Sequence, residues 1–268
     1  EKKLIQNKYE ITLPLREVRN SLKLNREDHI ANADLLDLMR RVRCFGINLA
    51  RLDIRQEADR HTKLLNELFR KKYNIKYNSL SEKEKIKLLN KLIKEKNYFV
   101  DRIKITNKEN KEVWNTFKQI SKTPHECLGA YVISMTSTAS DILSVYFLQI
   151  QAKIKNFLRV VPLFETLDDL KNANSVMKNL FKLSWYRKMT SAKQEVMIGY
   201  SDSSKDAGKL SASWHQYKLQ EELRGLAKKY RFDLVFFHGR GGSPGRGGGP
   251  IQATLKSQPA GTVNGKIR

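Results

Sequence analysis

Two carboxylates and a small set of cations stand out by position. Glu165 and Asp202 each follow closely on a short apolar run, Leu158–Phe164 and Val196–Tyr200. Arg55 follows Ile47–Ile54, and His238, Arg240 and Arg246 follow Leu234–Phe237. A pair of carboxylates can hold a hard divalent cation, and arginines with nearby backbone N–H groups can hold a phosphate. Mg²⁺ bound by one or two carboxylates plus substrate oxygens is the usual arrangement for phosphorylated substrates. Plainer roles fit the same residues: Glu165 and Asp202 also suit a helix N-cap or first turn, and Arg55 also suits a surface pair with Glu57 or Asp59. His61, His125 and His215 lie in or beside helical stretches with no metal-ligand spacing, and read as packing or surface residues.

The arginines of the last segment sit among glycines, in Gly239-Arg240-Gly241-Gly242-Ser243-Pro244-Gly245-Arg246-Gly247-Gly248-Gly249-Pro250. Eight of the chain's 14 glycines fall between 239 and 261, enough to bring backbone amides close to an anion. The segment lacks the Gly-Lys-Ser/Thr ending of a Walker A loop. Alone, it also fits the Arg/Gly-rich segment of an RNA- or DNA-binding protein, although the aromatic platforms of single-strand binding are missing.

The elements that must carry these residues alternate. Strands are expected at Ile47–Ile54, Ala130–Met135, Leu158–Phe164, Val196–Tyr200 and Leu234–Phe237. Helices are expected at Asp34–Val42, from Glu57 to Arg70, at Ser140–Ile154, from Leu167 to Leu183, and at Ala207–Tyr230. The last would bury Leu210, Trp214, Tyr217, Leu223, Leu226 and Tyr230. Such alternation implies an α/β fold with a parallel sheet, in which polar residues at the carboxyl ends of strands form the site. Five strands leave an eight-stranded barrel incomplete, so the expectation is a partial (β/α)8-type barrel with additional helices, residues 1–268 forming part of one catalytic domain. Within it, 63–120 reads as a Lys/Asn-rich helical surface segment. There Ser81 and Glu84 form a capping box ahead of Ile86, Leu89, Leu92 and Ile93.

The 268 residues carry 51 basic and 28 acidic groups, a formal charge of +23. That balance points to anionic partners, whether nucleic acid, lipid or small substrates. Residues 63–112 and 205–268 hold a net +8 each; the first is a solvated lysine face and the second contains the Arg/Gly segment. No apolar run approaches the ~18 residues of a membrane-spanning helix. Glu1-Lys2-Lys3-Leu4 leads into no secretory signal. Cys44, followed by Phe45, and Cys127, followed by Leu128, read as buried free thiols in a reducing compartment. The first residue is not Met, and the expectation is a piece of a longer protein.

Several long segments together resemble the phosphoenolpyruvate carboxylase family. They are Arg51-Leu52-Asp53-Ile54-Arg55-Gln56-Glu57, Ala130–Met135, Val161-Pro162-Leu163-Phe164-Glu165, Val196–Gly208 and Phe237–Pro250. The resemblance implies that Glu165 and Asp202 bind Mg²⁺ or Mn²⁺. It implies that Arg55, Arg240 and the nearby Arg51 hold the phosphate of phosphoenolpyruvate, beside Gly241 and Gly242. Lys205 would add positive charge at the metal, and Arg246 would belong to a mobile, inhibitor-sensitive loop. It further implies an α/β barrel with many extra helices, bicarbonate as co-substrate, oxaloacetate as product for the tricarboxylic acid cycle, allosteric control, a homotetramer and a cytoplasmic location. Membrane attachment and specific nucleic-acid binding are not expected. Ser204 departs from the family's usual Gly or Ala, and Pro244 stiffens the glycine loop. The family's Thr-Ala-His-Pro-Thr segment, with an essential His, is not in this sequence, so the chain alone is expected to be inactive.

Overall fold

Residues 5, 7–242, 248–263 and 265–268 are described by the computed structural model. Their elements run α1 (Tyr9–Leu24), α2 (Asp28–Ala31), α3 (Asp34–Phe45), β1 (Leu52–Glu57), α4 (Ala58–Tyr73), α5 (Glu82–Glu95), α6 (Lys108–Lys122), β2 (Leu128–Ser134), α7 (Ala139–Gln151), β3 (Arg159–Phe164), α8 (Leu167–Phe181), α9 (Ser184–Met189), β4 (Lys193–Gly199), α10 (Ser201–Ala207), α11 (Lys209–Tyr230), β5 (Asp233–Gly239) and α12 (Ile251–Lys256). The strands form one five-stranded sheet in the order β1-β2-β3-β4-β5. The pairings of β2 with β3, β3 with β4 and β4 with β5 are parallel; Val132 lies opposite Val161, Phe164 opposite Ile198, and Ile198 opposite His238. Parallel neighbours in chain order, joined by helices, are the expected α/β architecture, a segment of a (β/α) barrel.

The chain divides into two compact units. One comprises Glu1–Ile54 and Lys122–Gly129, the other Arg55–Ser121 and Ala130–Arg268. The first is built on α1–α3. There α1 buries none of its residues, and Arg19 ties it to α2, donating to the Ala31 carbonyl at 3.1 Å and to Asn32 Oδ1 at 2.7 Å.

The second unit holds the sheet core. Ala130, Val132, Val161 and Leu163 pack together with Met197, because alternate residues of adjacent parallel strands share a face. The run Ala139–Gln151 is buried along its whole length, and its polar Ser140, Asp141, Ser144, Gln149 and Gln151 are all hydrogen-bonded. Phe147 packs edge-on against Phe69, which packs edge-on against Tyr77. In α5, Glu84 accepts from the Ser81 amide at 2.7 Å, closing the capping box. Leu89, Leu92 and Ile93 are buried while Lys83, Lys87, Lys91 and Lys94 face solvent.

Three expectations need correction. The first strand begins at Leu52 rather than Ile47, because Gly46 takes a left-handed φ of +67° and Asn48 Nδ2 turns back to the Ala50 carbonyl at 2.9 Å. Leu223 and Leu226 are buried on α11, but Leu210, Trp214 and Tyr217 are exposed. Gln216 occupies the inner side of that half of the helix, donating to Ser203 Oγ at 2.7 Å. Cys44 is exposed and Cys127 half-buried, so neither is a core thiol.

Candidate active site

Glu165 is the residue immediately after β3. The N-cap of α8 is its neighbour Thr166, whose side chain accepts from the Asp169 amide at 3.2 Å while Asp169 accepts from the Thr166 amide at 3.0 Å. The capping box leaves the Glu165 carboxylate out of the helix terminus. That carboxylate is buried at 5% exposure and carries two contacts. Arg55 Nη2 donates to Oε1 at 2.8 Å, and the Met135 amide donates to Oε2 at 2.8 Å. Met135, just past β2, has φ +54°, a left-handed conformation that a non-glycine residue adopts at a cost. Arg55 sits in β1 itself, and its partner is Glu165 rather than Glu57 or Asp59.

Burial raises the pKa of Glu165. The Met135 amide and Arg55 oppose that rise, and the charges of Asp202 and Asp169 add to it. Glycine suits the close approach beside it. A Cβ on Gly199 would lie 3.2 Å from Glu165 Cγ and 3.3 Å from its Cα, tight enough that Glu165 would have to shift to admit it.

Asp202 and Lys205 lie on α10, a short helix that directly follows β4. Lys205 Nζ is 3.5 Å from Asp202 Oδ1, both side chains being largely exposed. Such a surface pair is worth little by itself and leaves Asp202 accessible. Asp202 is also a first-turn acid of this helix, favourable to the helix dipole. Ser203 is buried beneath and, with Gln216 as its own donor, hydrogen-bonds to the Gly199 carbonyl at 2.5 Å. Asp206 accepts from the Leu167 amide at 2.8 Å, tying α10 to the start of α8.

At the carboxyl end of β5, Arg240 is held on three sides. Its guanidinium stacks 4.4 Å over the Tyr200 ring, Nη2 donates to the Tyr200 hydroxyl at 3.1 Å, and Nη1 donates to Thr254 Oγ1 at 3.2 Å. The Tyr200 hydroxyl also lies 2.7 Å from His238 Nδ1. His238, Arg240, Gly241, Gly242, Gly248, Gly249 and Thr254 line a cavity of about 300 Å³. Gly239 permits this turn, since a Cβ there would fall 2.9 Å from the Ile198 carbonyl oxygen. A larger cavity, about 490 Å³, lies at the other ends of β3–β5 among Arg159, Lys193, Glu195 and Asp233, so volume alone does not mark the site.

Arg246 lies outside the described residues. Arg51 is exposed and belongs to the first unit. Tyr200, Met135 and Thr254 carry contacts that sequence reasoning missed. A tyrosine ending an apolar strand reads as packing, and the position of Tyr200 next to Ser201-Asp202 was its one signal.

Glu165 and Asp202 fit a hard divalent cation. Both offer oxygen donors, and the negative charge of Asp202 acts on Glu165, a repulsion that a cation would relieve. Among the described residues no cluster of three or more His, Cys, Asp or Glu side chains could hold a metal. A two-carboxylate set leaves the remaining coordination to water and substrate, as Mg²⁺ prefers.

The family model described as phosphoenolpyruvate carboxylase matches residues 1–268. The chain belongs to the phosphoenolpyruvate carboxylase family. It is 47% identical over 265 residues to the phosphoenolpyruvate carboxylases of Escherichia coli O1:K1 / APEC, Escherichia coli O157:H7 (strain EC4115 / EHEC) and Shigella boydii serotype 18. Those 265 residues are 99% of this chain and 30% of each of those carboxylases. The resemblance read from the motifs is therefore borne out at the level of the family. No helix among the described residues is long and apolar enough to cross a membrane.

Proposed function

We propose that this chain carries the metal- and phosphate-binding part of a phosphoenolpyruvate carboxylase site, which joins phosphoenolpyruvate and bicarbonate to give oxaloacetate and phosphate. The observation that carries the reading is the convergence of Arg55 and the charge of Asp202 on the buried Glu165, in a chain matched along its length by this family. Glu165 and Asp202 would hold Mg²⁺ or Mn²⁺, which supplies Lewis-acid stabilisation to a developing enolate oxygen. Glu165 is preset for that role by the Met135 amide, which fixes one of its oxygens. Arg55 and Arg240 hold the phosphate of the substrate, and Gly241 and Gly242 let backbone approach it. Lys205 adds positive charge beside Asp202. Arg51 completes the phosphate side of the reading, and Arg246 belongs to the catalytic loop.

In the proposed reaction a bicarbonate oxygen attacks phosphorus and the bond from phosphorus to the enol oxygen breaks. Carboxyphosphate and the enolate of pyruvate result. Carboxyphosphate releases CO₂ and phosphate, and the enolate carbon bonds the CO₂. Arginines held in place before substrate arrives stabilise the phosphoryl transfer without reorganising. Closure of the glycine segment would keep water from the labile intermediates. A homotetramer, a cytoplasmic location, anaplerotic use of the product and effector control belong to the same proposal.

Binding to nucleic acid gains no support, because Arg240 is folded against Tyr200 and Thr254 instead of being displayed. The test is a ³¹P NMR titration of phosphoenolpyruvate with this chain and Mg²⁺. The expected result is Mg²⁺-dependent broadening that Asp202→Asn and Arg240→Gln each remove. Absence of broadening, or broadening indifferent to both substitutions, would overturn the reading.

A further inference from the structure

The three groups around the Tyr200 hydroxyl determine where a proton lies. Arginine can only donate, so the 3.1 Å contact from Arg240 Nη2 uses one lone pair of the tyrosine oxygen. The 2.7 Å contact to His238 Nδ1 then has two possible polarities. If Nδ1–H donated, the tyrosine would accept twice and its own proton would need another acceptor. Tyr200 is buried, and among the described residues its hydroxyl has no other hydrogen-bond partner than Arg240 and His238. A buried hydroxyl proton without an acceptor is costly, so the tyrosine donates and Nδ1 accepts. An imidazolium would have to donate from Nδ1 and is excluded on the same count. Burial and, secondarily, the Arg240 charge also hold the His238 pKa down, to about 4.

The geometry points to Tyr200 as a positioning residue that fixes two site groups at once: it holds the Arg240 guanidinium by ring and hydroxyl, and it sets His238 as the neutral Nε2–H tautomer. With Nδ1 occupied, Nε2–H is the donor this ring offers to the cavity it lines with Arg240, Gly241 and Gly242. A neutral donor beside a guanidinium recognises a phosphate or carboxylate oxygen as a hydrogen-bond acceptor, without adding a second full charge next to Arg240. This inference rests on the phosphoenolpyruvate reading for its ligand, but the proton's position does not.

The test has two independent readouts. Long-range ¹H–¹⁵N correlation spectra of the uniformly labelled chain at neutral pH report the tautomer of each histidine, with His238 assigned by its loss in His238→Gln. The wild-type chain should show His238 protonated on Nε2 alone. Tyr200→Phe keeps the ring under Arg240 and removes the hydroxyl; His238 should then change its nitrogen shifts towards a tautomer mixture. The same substitution should weaken Mg²⁺-dependent phosphoenolpyruvate binding on the order of tenfold, the loss of one hydrogen bond to a charged group. A proton on Nδ1 in the wild type overturns the inference without any variant. So does a Tyr200→Phe chain with wild-type histidine shifts, or one with wild-type phosphoenolpyruvate affinity. If the wild-type chain binds no phosphoenolpyruvate at all, the functional proposal fails, and the histidine spectra still decide the role of Tyr200.

Discussion

Glu165 shows how one side chain acquires its properties from three strand ends. Its burial comes from β3, its amide donor from the left-handed Met135 after β2, and its cation from Arg55 in β1. Gly199 at the end of β4 is part of the same fit. Gly199→Ala should lower stability by about 1–3 kcal/mol in urea denaturation, because the new methyl meets the Glu165 Cγ and Cα in a packed site that must shift to admit it. The carboxylates and arginines were legible in the sequence because polar residues following apolar strands are unusual company for a core. Their partners were not legible. Nothing in the one-dimensional pattern joins Arg55 to Glu165, 110 residues away, or tells a tyrosine that orients an arginine from one that merely packs.

At the scale of elements, strands and helices followed their hydrophobic periods, and errors arose where side chains override the pattern. Asn48 and Gly46 fold what looked like the start of β1 into a turn. On α11 the apolar residues split between two faces, because Gln216 serves a polar cluster with Ser203 and Gly199 at the strand end. The exposed Leu210 and Trp214 are the consequence. Thr166 matters at this scale too, since its capping box starts α8 one residue after Glu165. Thr166→Ala should cost about 1 kcal/mol in the same denaturation assay. Thr166→Ser, which keeps the hydroxyl, should restore most of it.

For the whole molecule, His61 predicts how the fold responds to acid. It is fully buried, Nε2 lying 2.7 Å from the Tyr131 hydroxyl, and burial with the Arg60 charge lowers its pKa from 6.5 to about 3. Between those values the unfolded chain binds a proton there that the folded chain does not. Stability is therefore lost as pH falls through 6.5, by up to about 1.4 kcal/mol per pH unit from this group. Urea midpoints between pH 7 and 4.5 should fall in the wild type and fall less in His61→Phe; parallel curves would contradict the assignment. With a net charge of +23, any nucleic-acid binding should be weak and abolished by salt, and binding that persists at physiological salt would speak for a different partner. The chain alone should form no oxaloacetate in a malate dehydrogenase-coupled assay, since the Thr-Ala-His-Pro-Thr segment is not in its sequence. The central claim, that Glu165 and Asp202 share one divalent cation, is tested most directly by electron paramagnetic resonance of Mn²⁺ titrated into this chain. The account predicts loss of the free-ion signal on binding, abolished by Glu165→Gln and by Asp202→Asn while circular dichroism stays unchanged. Mn²⁺ binding of undiminished affinity in both variants would contradict it.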